Sequence, residues 1–142
     1  MAALYAIAPV SAQSGLVGIG FAQAEEGTWW CQDSDAATAL ACAKEQCATE
    51  SGGQACFTTR WCAPSGWSGL MIVWLPEFHA THVLCGQPGR DAVRDAFVAI
   101  CLAAPEFSRC DITLMIDPDG AVIDVTETID PYEDNTEVAP AE

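Results

Sequence analysis

The cysteines of this chain carry a period, and that period constrains the fold more than any other feature. Cys31, Cys47 and Cys56 return 54 positions later as Cys85, Cys101 and Cys110 (31 to 85, 47 to 101, 56 to 110). The flanks follow at the same offset. Leu16 meets Leu70, Ile19 meets Val73, Phe21 meets Leu75 and Trp30 meets Leu84. Ala43 meets Phe97, Thr59 meets Thr113 and Gly66 meets Gly120. A hydrophobic pattern and a cysteine frame that repeat together indicate a duplicated supersecondary unit.

Each copy reads as strand, strand, helix, strand. In the first copy residues 16–21, within the glycine-spaced run GLVGIGFA, are a short apolar strand. The glycines there mimic a dinucleotide fingerprint, but its third glycine and a following helix start are missing. Residues 22–27 are a turn and residues 28–31 (TWWC) a second strand. Asp33 or Ser34 supplies an N-cap for a helix over 35–48, with Ala36, Leu40, Ala43 and Cys47 along one face. Gly52 and Gly53 end it, residues 56–61 (CFTTRW) form a strand, and residues 62–69 turn. The second copy runs 70–75, then 81–85, then a helix over 90–104 with Val93, Phe97, Ile100, Cys101 and Ala104 on its apolar face. A strand over 110–116, a turn at Asp117-Pro118-Asp119-Gly120 and a last strand over 121–126 complete it.

Eight cysteines in 142 residues point to a disulfide framework and an oxidising compartment. No Cys-x-x-Cys pair is present, and the spacings fit no common zinc pattern. In both copies a cysteine at the helix end precedes one at the next strand's start by nine positions, so Cys47 is expected to pair with Cys56 and Cys101 with Cys110. Cys31, Cys42, Cys62 and Cys85 remain, with three pairings open.

The N-terminal residues 1–12 are small and apolar and end in Val10-Ser11-Ala12, a signal-peptidase pattern with cleavage before Gln13. The competing reading is an ordinary strand over 4–8. A later site, after Ala24, would remove the first strand of the repeat. These readings place the chain in the periplasm or outside the cell of a bacterium. The formal charge is −15, from 20 acidic residues against five Lys and Arg. Phosphate backbones and anionic membrane surfaces would repel such a chain, so nucleic acid and membrane insertion are excluded as expected partners. Residues 130–142 (DPYEDNTEVAPAE) read as an acidic disordered tail. Residues 13–129 then form a single duplicated domain, with units over about 15–66 and 69–125.

The segments GTWWC, DAATALACAKEQC and ACFTTR, in that order, resemble the bacterial secreted family called domain of unknown function 4189. The resemblance covers about residues 15–125. It implies this fold and export, and no catalytic residues. The CAPSGW segment and the acidic tail depart from the family pattern.

Few residues are arranged for chemistry. Glu77, His79 and His82 (EFHATH) are the one histidine cluster, and in an extended strand the two histidines point to opposite faces. Ser65 or Ser68 with a histidine and an acid would make a hydrolase, but the Gly-x-Ser-x-Gly elbow is absent. Asp117 and Asp119 offer too few oxygens for calcium. Trp30 and Trp74 read as core, whereas Trp61 and Trp67, beside a turn, read as surface anchors. The expectation is an α+β fold of two tandem ββαβ units, with two helices on antiparallel sheet, stapled by disulfides. It serves as an exported, non-catalytic binding or envelope-associated module for a protein or glycan partner, without cofactor or metal. Its candidate binding residues are Trp61, Trp67, His79 and His82. The alternative is a small secreted hydrolase using a histidine near His79 and His82.

Overall fold

The computed structural model describes residues 16–132. The expected leader over 1–12 and most of the expected tail, 133–142, lie outside the described residues. The chain divides into two compact units between Pro64 and Ser65. Among the described residues the fold is mixed α+β, with two helices, two antiparallel sheets and four disulfides.

The first unit contains β1 (Gly18–Ala24), β2 (Gly27–Asp33), α1 (Ala36–Glu50) and β3 (Phe57–Cys62). Its three-stranded sheet has the order β2-β1-β3. The helix cap falls on Asp35 rather than on Asp33 or Ser34. The Asp35 carboxylate accepts the Thr38 N–H at 3.0 Å and the Thr38 hydroxyl at 2.7 Å, while Asp33 Oδ1 accepts the N–H of Asp35. These bonds to Thr38 favour the charged carboxylate and lower the pKa of Asp35. The buried stripe of α1 is Ala39, Ala43 and Cys47, one residue round from the expected Ala36 and Leu40, which are half-buried. Ala22 lies against Ala43 and Cys47, with Trp29, Cys31 and Cys56 packed around them.

The second unit contains β4 (Trp67–Trp74), β5 (His79–Gln87), α2 (Arg90–Ala103), β6 (Arg109–Ile116) and β7 (Val122–Ile129). The four-stranded sheet has the order β5-β4-β6-β7. Val93, Phe97 and Cys101 of α2 press onto Met71, Val73, Cys110, Ile112, Met115 and Ile129 of the sheet. In the turn between β6 and β7 the Gly120 N–H bonds to the Asp117 carbonyl at 2.9 Å. Asp117 Oδ1 also accepts the N–H groups of Asp119 and Ala121, so the Asp117 carboxylate braces its own loop. Beyond β7 the hydroxyl of Tyr132 donates to the Pro105 carbonyl at 2.7 Å. The first three residues of the segment expected to be a tail thus include an anchored tyrosine.

Several strand boundaries depart from expectation: β1 covers 18–24 rather than 16–21, β5 covers 79–87 rather than 81–85, and β7 covers 122–129 rather than 121–126. β4 begins at Trp67, inside the stretch read as a turn, because Trp67 pairs with Gln87 across an irregularity that precedes Gly69. The first strand of each unit also does not keep the 54-residue spacing. β1 carries a register shift between Phe21 and Ala22, and β4 carries one between Leu70 and Met71, 49 positions on (21 to 70, 22 to 71). The hairpins differ in length: Ala24 pairs with Gly27, whereas Trp74 pairs with His79. Gly20 and Gly69 share the 49-residue spacing as well. A side chain on Gly20 would lie 3.0 Å from Leu40 Cδ2, and one on Gly69 would lie 2.7 Å from Val93 Cγ1. In each unit the helix therefore approaches the sheet where a glycine leaves room.

Cys47 pairs with Cys56 and Cys101 with Cys110, at Cα separations of 6.1 and 6.2 Å. Cys31 pairs with Cys42 at 6.0 Å, from β2 to α1. Cys62 and Cys85 are disulfide-bonded as well.

Candidate functional site

Strands β6 and β7 alternate in polarity, and the alternation sorts their side chains onto two faces. Cys110, Ile112, Val125 and Ile129 join the core under α2. Arg109, Asp111 and Thr113 of β6, with Thr126 and Thr128 of β7, line a groove of about 440 Å³, a volume typical of small-molecule sites (about 300–1,000 Å³). Its floor is irregular for a visible reason. The β4–β6 register shifts between Leu70 and Met71 and the β6–β7 register between Ile112 and Leu114, so both irregularities meet at Thr113. Bulges re-aim side chains and open the ladder locally.

Asp111 is the centre of the polar cluster. Its Oδ2 accepts the indole N–H of Trp74 at 2.8 Å and lies 3.3 Å from an Arg109 nitrogen. Its Oδ1 accepts the Thr128 hydroxyl at 2.8 Å. Arg109 places its guanidinium carbon 4.9 Å from the Trp74 ring centroid, a cation–π distance. On β5, His79 sits 5.0 Å from the same ring, tilted by 40°. Asp111 is about three-quarters buried and Arg109 about half, so the first is held and the second is reachable. Glu127, which also lines the groove, binds Arg94 of α2 at 2.7 Å. That hydrogen bond and charge raise the pKa of Arg94 above its ordinary value.

The residues singled out from sequence are dispersed. His79 and His82 pair with Trp74 and Met71 along an unbroken stretch of β5 and face opposite sides. His79 meets Trp74, and His82 meets the edge of Phe107 at 5.8 Å. Trp61 is half-buried in β3, with its ring over Gly18, and Trp67 packs against the core of the second unit rather than standing out as an anchor. Trp74, expected to be core, instead serves the polar cluster. Ser65 and Ser68 are buried; the Ser65 hydroxyl donates to the Pro118 carbonyl at 3.4 Å. Among the described residues no three His, Cys, Asp or Glu side chains converge as metal ligands, and no helix is long and apolar enough to cross a membrane.

The sequence places Trp74 in the core by its pattern and gives Arg109, Asp111 and Thr128 no part in a site. The alternation Arg-Cys-Asp-Ile-Thr from residue 109 marks which side chains turn outward, but not that they meet Trp74 of a strand 35 residues earlier (74 to 109). Chemically the arrangement offers a fixed acceptor, a stacked donor and several hydroxyls along one groove. Comparison with protein-family models, with curated proteins and with solved structures finds no match.

Proposed function

We propose that the chain is an exported, non-catalytic binding module whose ligand, a protein segment or a glycan, seats in the groove along β6 and β7. The observation that carries this reading is the threefold hold on Asp111 by Trp74, Arg109 and Thr128. Side chains locked before a ligand arrives lose little entropy on binding, which is how recognition sites gain affinity.

Export to the periplasm or the medium is supported by the full oxidation of the cysteines: none is free. Its test is the mature protein recovered from the periplasm of a bacterial host. An N-terminus at Gln13 and no titratable thiol are expected; full-length protein with free thiols in the cytoplasm would refute export. The common order of the elements and the 49-residue spacing of the bulges support descent of both units from one duplicated ββαβ ancestor. Kinship with domain of unknown function 4189 rests on the segments GTWWC, DAATALACAKEQC and ACFTTR, and is part of this proposal.

The binding reading is tested with an amide-resolved NMR screen of the oxidised full chain against a diverse library of small fragments. Fragment hits should converge on Thr113, Thr126, Thr128 and the Trp74 indole. Hits spread over both units, or gathered elsewhere, would remove the groove as the ligand seat.

A further inference from the structure

We infer that the groove beside Asp111 takes an uncharged sugar, one or two rings of a neutral glycan; this rests on the reading of that groove as the ligand seat. The lining selects the class in three ways.

Beside Ile112 and Val125 the groove carries hydrogen-bonding groups of every kind. The Thr126 hydroxyl donates and accepts, the Thr128 hydroxyl, whose proton goes to Asp111, still accepts, the Asp111 carboxylate only accepts, and the Arg109 guanidinium only donates. A polyol, whose hydroxyls both donate and accept, engages all of these. An apolar ligand would strip them of water and leave them unpaired.

The charges on the groove are paired. Arg109 lies against Asp111, and Glu127 against Arg94. A free anion would approach a chain of net charge −15 and meet an arginine already neutralised by its carboxylate. A free cation would meet Arg109 at the mouth. Neutral ligands face neither opposition.

Capacity remains on the held groups. A carboxylate offers about four lone-pair sites. Trp74 and Arg109 share Oδ2, while Oδ1 receives Thr128, which leaves room on Oδ1 for a ligand hydroxyl. Arg109 has five N–H donors and a half-exposed side chain. The groove is therefore ordered and still open to hydrogen bonding. Thr113 contributes least, because its hydroxyl is turned to the Leu70 carbonyl at 3.4 Å.

The experiment is NMR titration of the oxidised full chain with maltose, cellobiose and N,N′-diacetylchitobiose as neutral probes. Digalacturonate serves as an anionic probe and glucosamine as a cationic one. The Trp74 indole signal is assigned through Trp74→Phe. At least one neutral disaccharide should move that signal and the amides of Thr126 and Thr128. Thr126→Val, a change at an exposed position, should weaken that sugar about three- to tenfold, one hydrogen bond's worth, with an unchanged melting temperature. Response to a charged sugar alone would overturn the assignment of a neutral ligand. Silence toward every sugar, in a groove that still collects non-sugar fragments, would overturn the sugar and keep the binding site. Silence toward sugars and fragments alike would remove both. Binding that Thr126→Val leaves untouched would overturn this seat for the sugar.

Discussion

The indole N–H of Trp74 and the carboxylate of Asp111 meet at 2.8 Å across the boundary between β4 and β6. Their strands are neighbours in the sheet although α2 and a third strand intervene in sequence. The bond ties the order of the sheet to the order of the groove: it forms only if β6 lies beside β4 in this register.

Removing Asp111 should therefore disturb more than one contact. Asp111→Ala leaves the half-buried Trp74 N–H without its acceptor and releases Thr128 and Arg109. The expected loss is about 1–3 kcal/mol, read from urea unfolding, with a shift in Trp emission. Asp111→Asn keeps one acceptor oxygen and should cost less. Equal stability of Asp111→Ala and the parent chain would show that the cluster contributes no order.

The glycine under α2 gives a second expectation. A methyl on Gly69 would lie 2.7 Å from Val93 Cγ1 and 2.9 Å from Phe97 Cε2. Gly69→Ala should then destabilise by about 1–3 kcal/mol through overpacking. Trimming the neighbour makes room, so Gly69→Ala with Val93→Ala should lose less than the sum of the two single changes. Strict additivity in urea melts would contradict the close approach of helix and sheet.

The bridges differ in access. Cys101 and Cys110 are both fully buried, whereas Cys31 and Cys42 are both only half-buried. Thiolate attack needs access to sulfur, so mild reduction followed by alkylation and mass spectrometry should label Cys31 and Cys42 first. Replacing Cys101 and Cys110 together by alanine should cost about 2–5 kcal/mol. Labelling of Cys101 and Cys110 ahead of Cys31 and Cys42 would contradict this order.

The cap of α1 predicts a pH dependence. Thr38 lowers the pKa of Asp35 in the folded chain, so the folded value lies below the unfolded one. The stabilisation is then fully present above the ordinary aspartate range and is lost as pH falls through the lowered folded value. Parent and Asp35→Ala should differ in melting temperature at about pH 6, and the difference should narrow toward about pH 2. A gap that stays constant over that window would sink the assignment of the cap to the charged carboxylate.

The sequence by itself determined what depends on neighbours along the chain. Cys47–Cys56 and Cys101–Cys110 were legible because a helix end followed nine positions later by a strand start returns the chain to within disulfide reach. Both helices, the strand over 110–116 and the turn at residues 117–120 were legible for the same reason: periodicity and turn chemistry are local. Tertiary structure alone decided the rest. The partner of Cys31 depended on how α1 lies across β2. The first strands are offset by 49 rather than 54 because the second hairpin is five residues longer, 16 from Gly69 to Cys85 against 11 from Gly20 to Cys31, two of them in the loop and the rest in the strands. Trp74 carries no local sign that it serves a polar site, since its indole is apolar in body and polar at one atom. Which strand brings an acceptor to that atom is set by strand order, and strand order is fixed by burial of the whole sheet under α2 rather than by any run of adjacent residues.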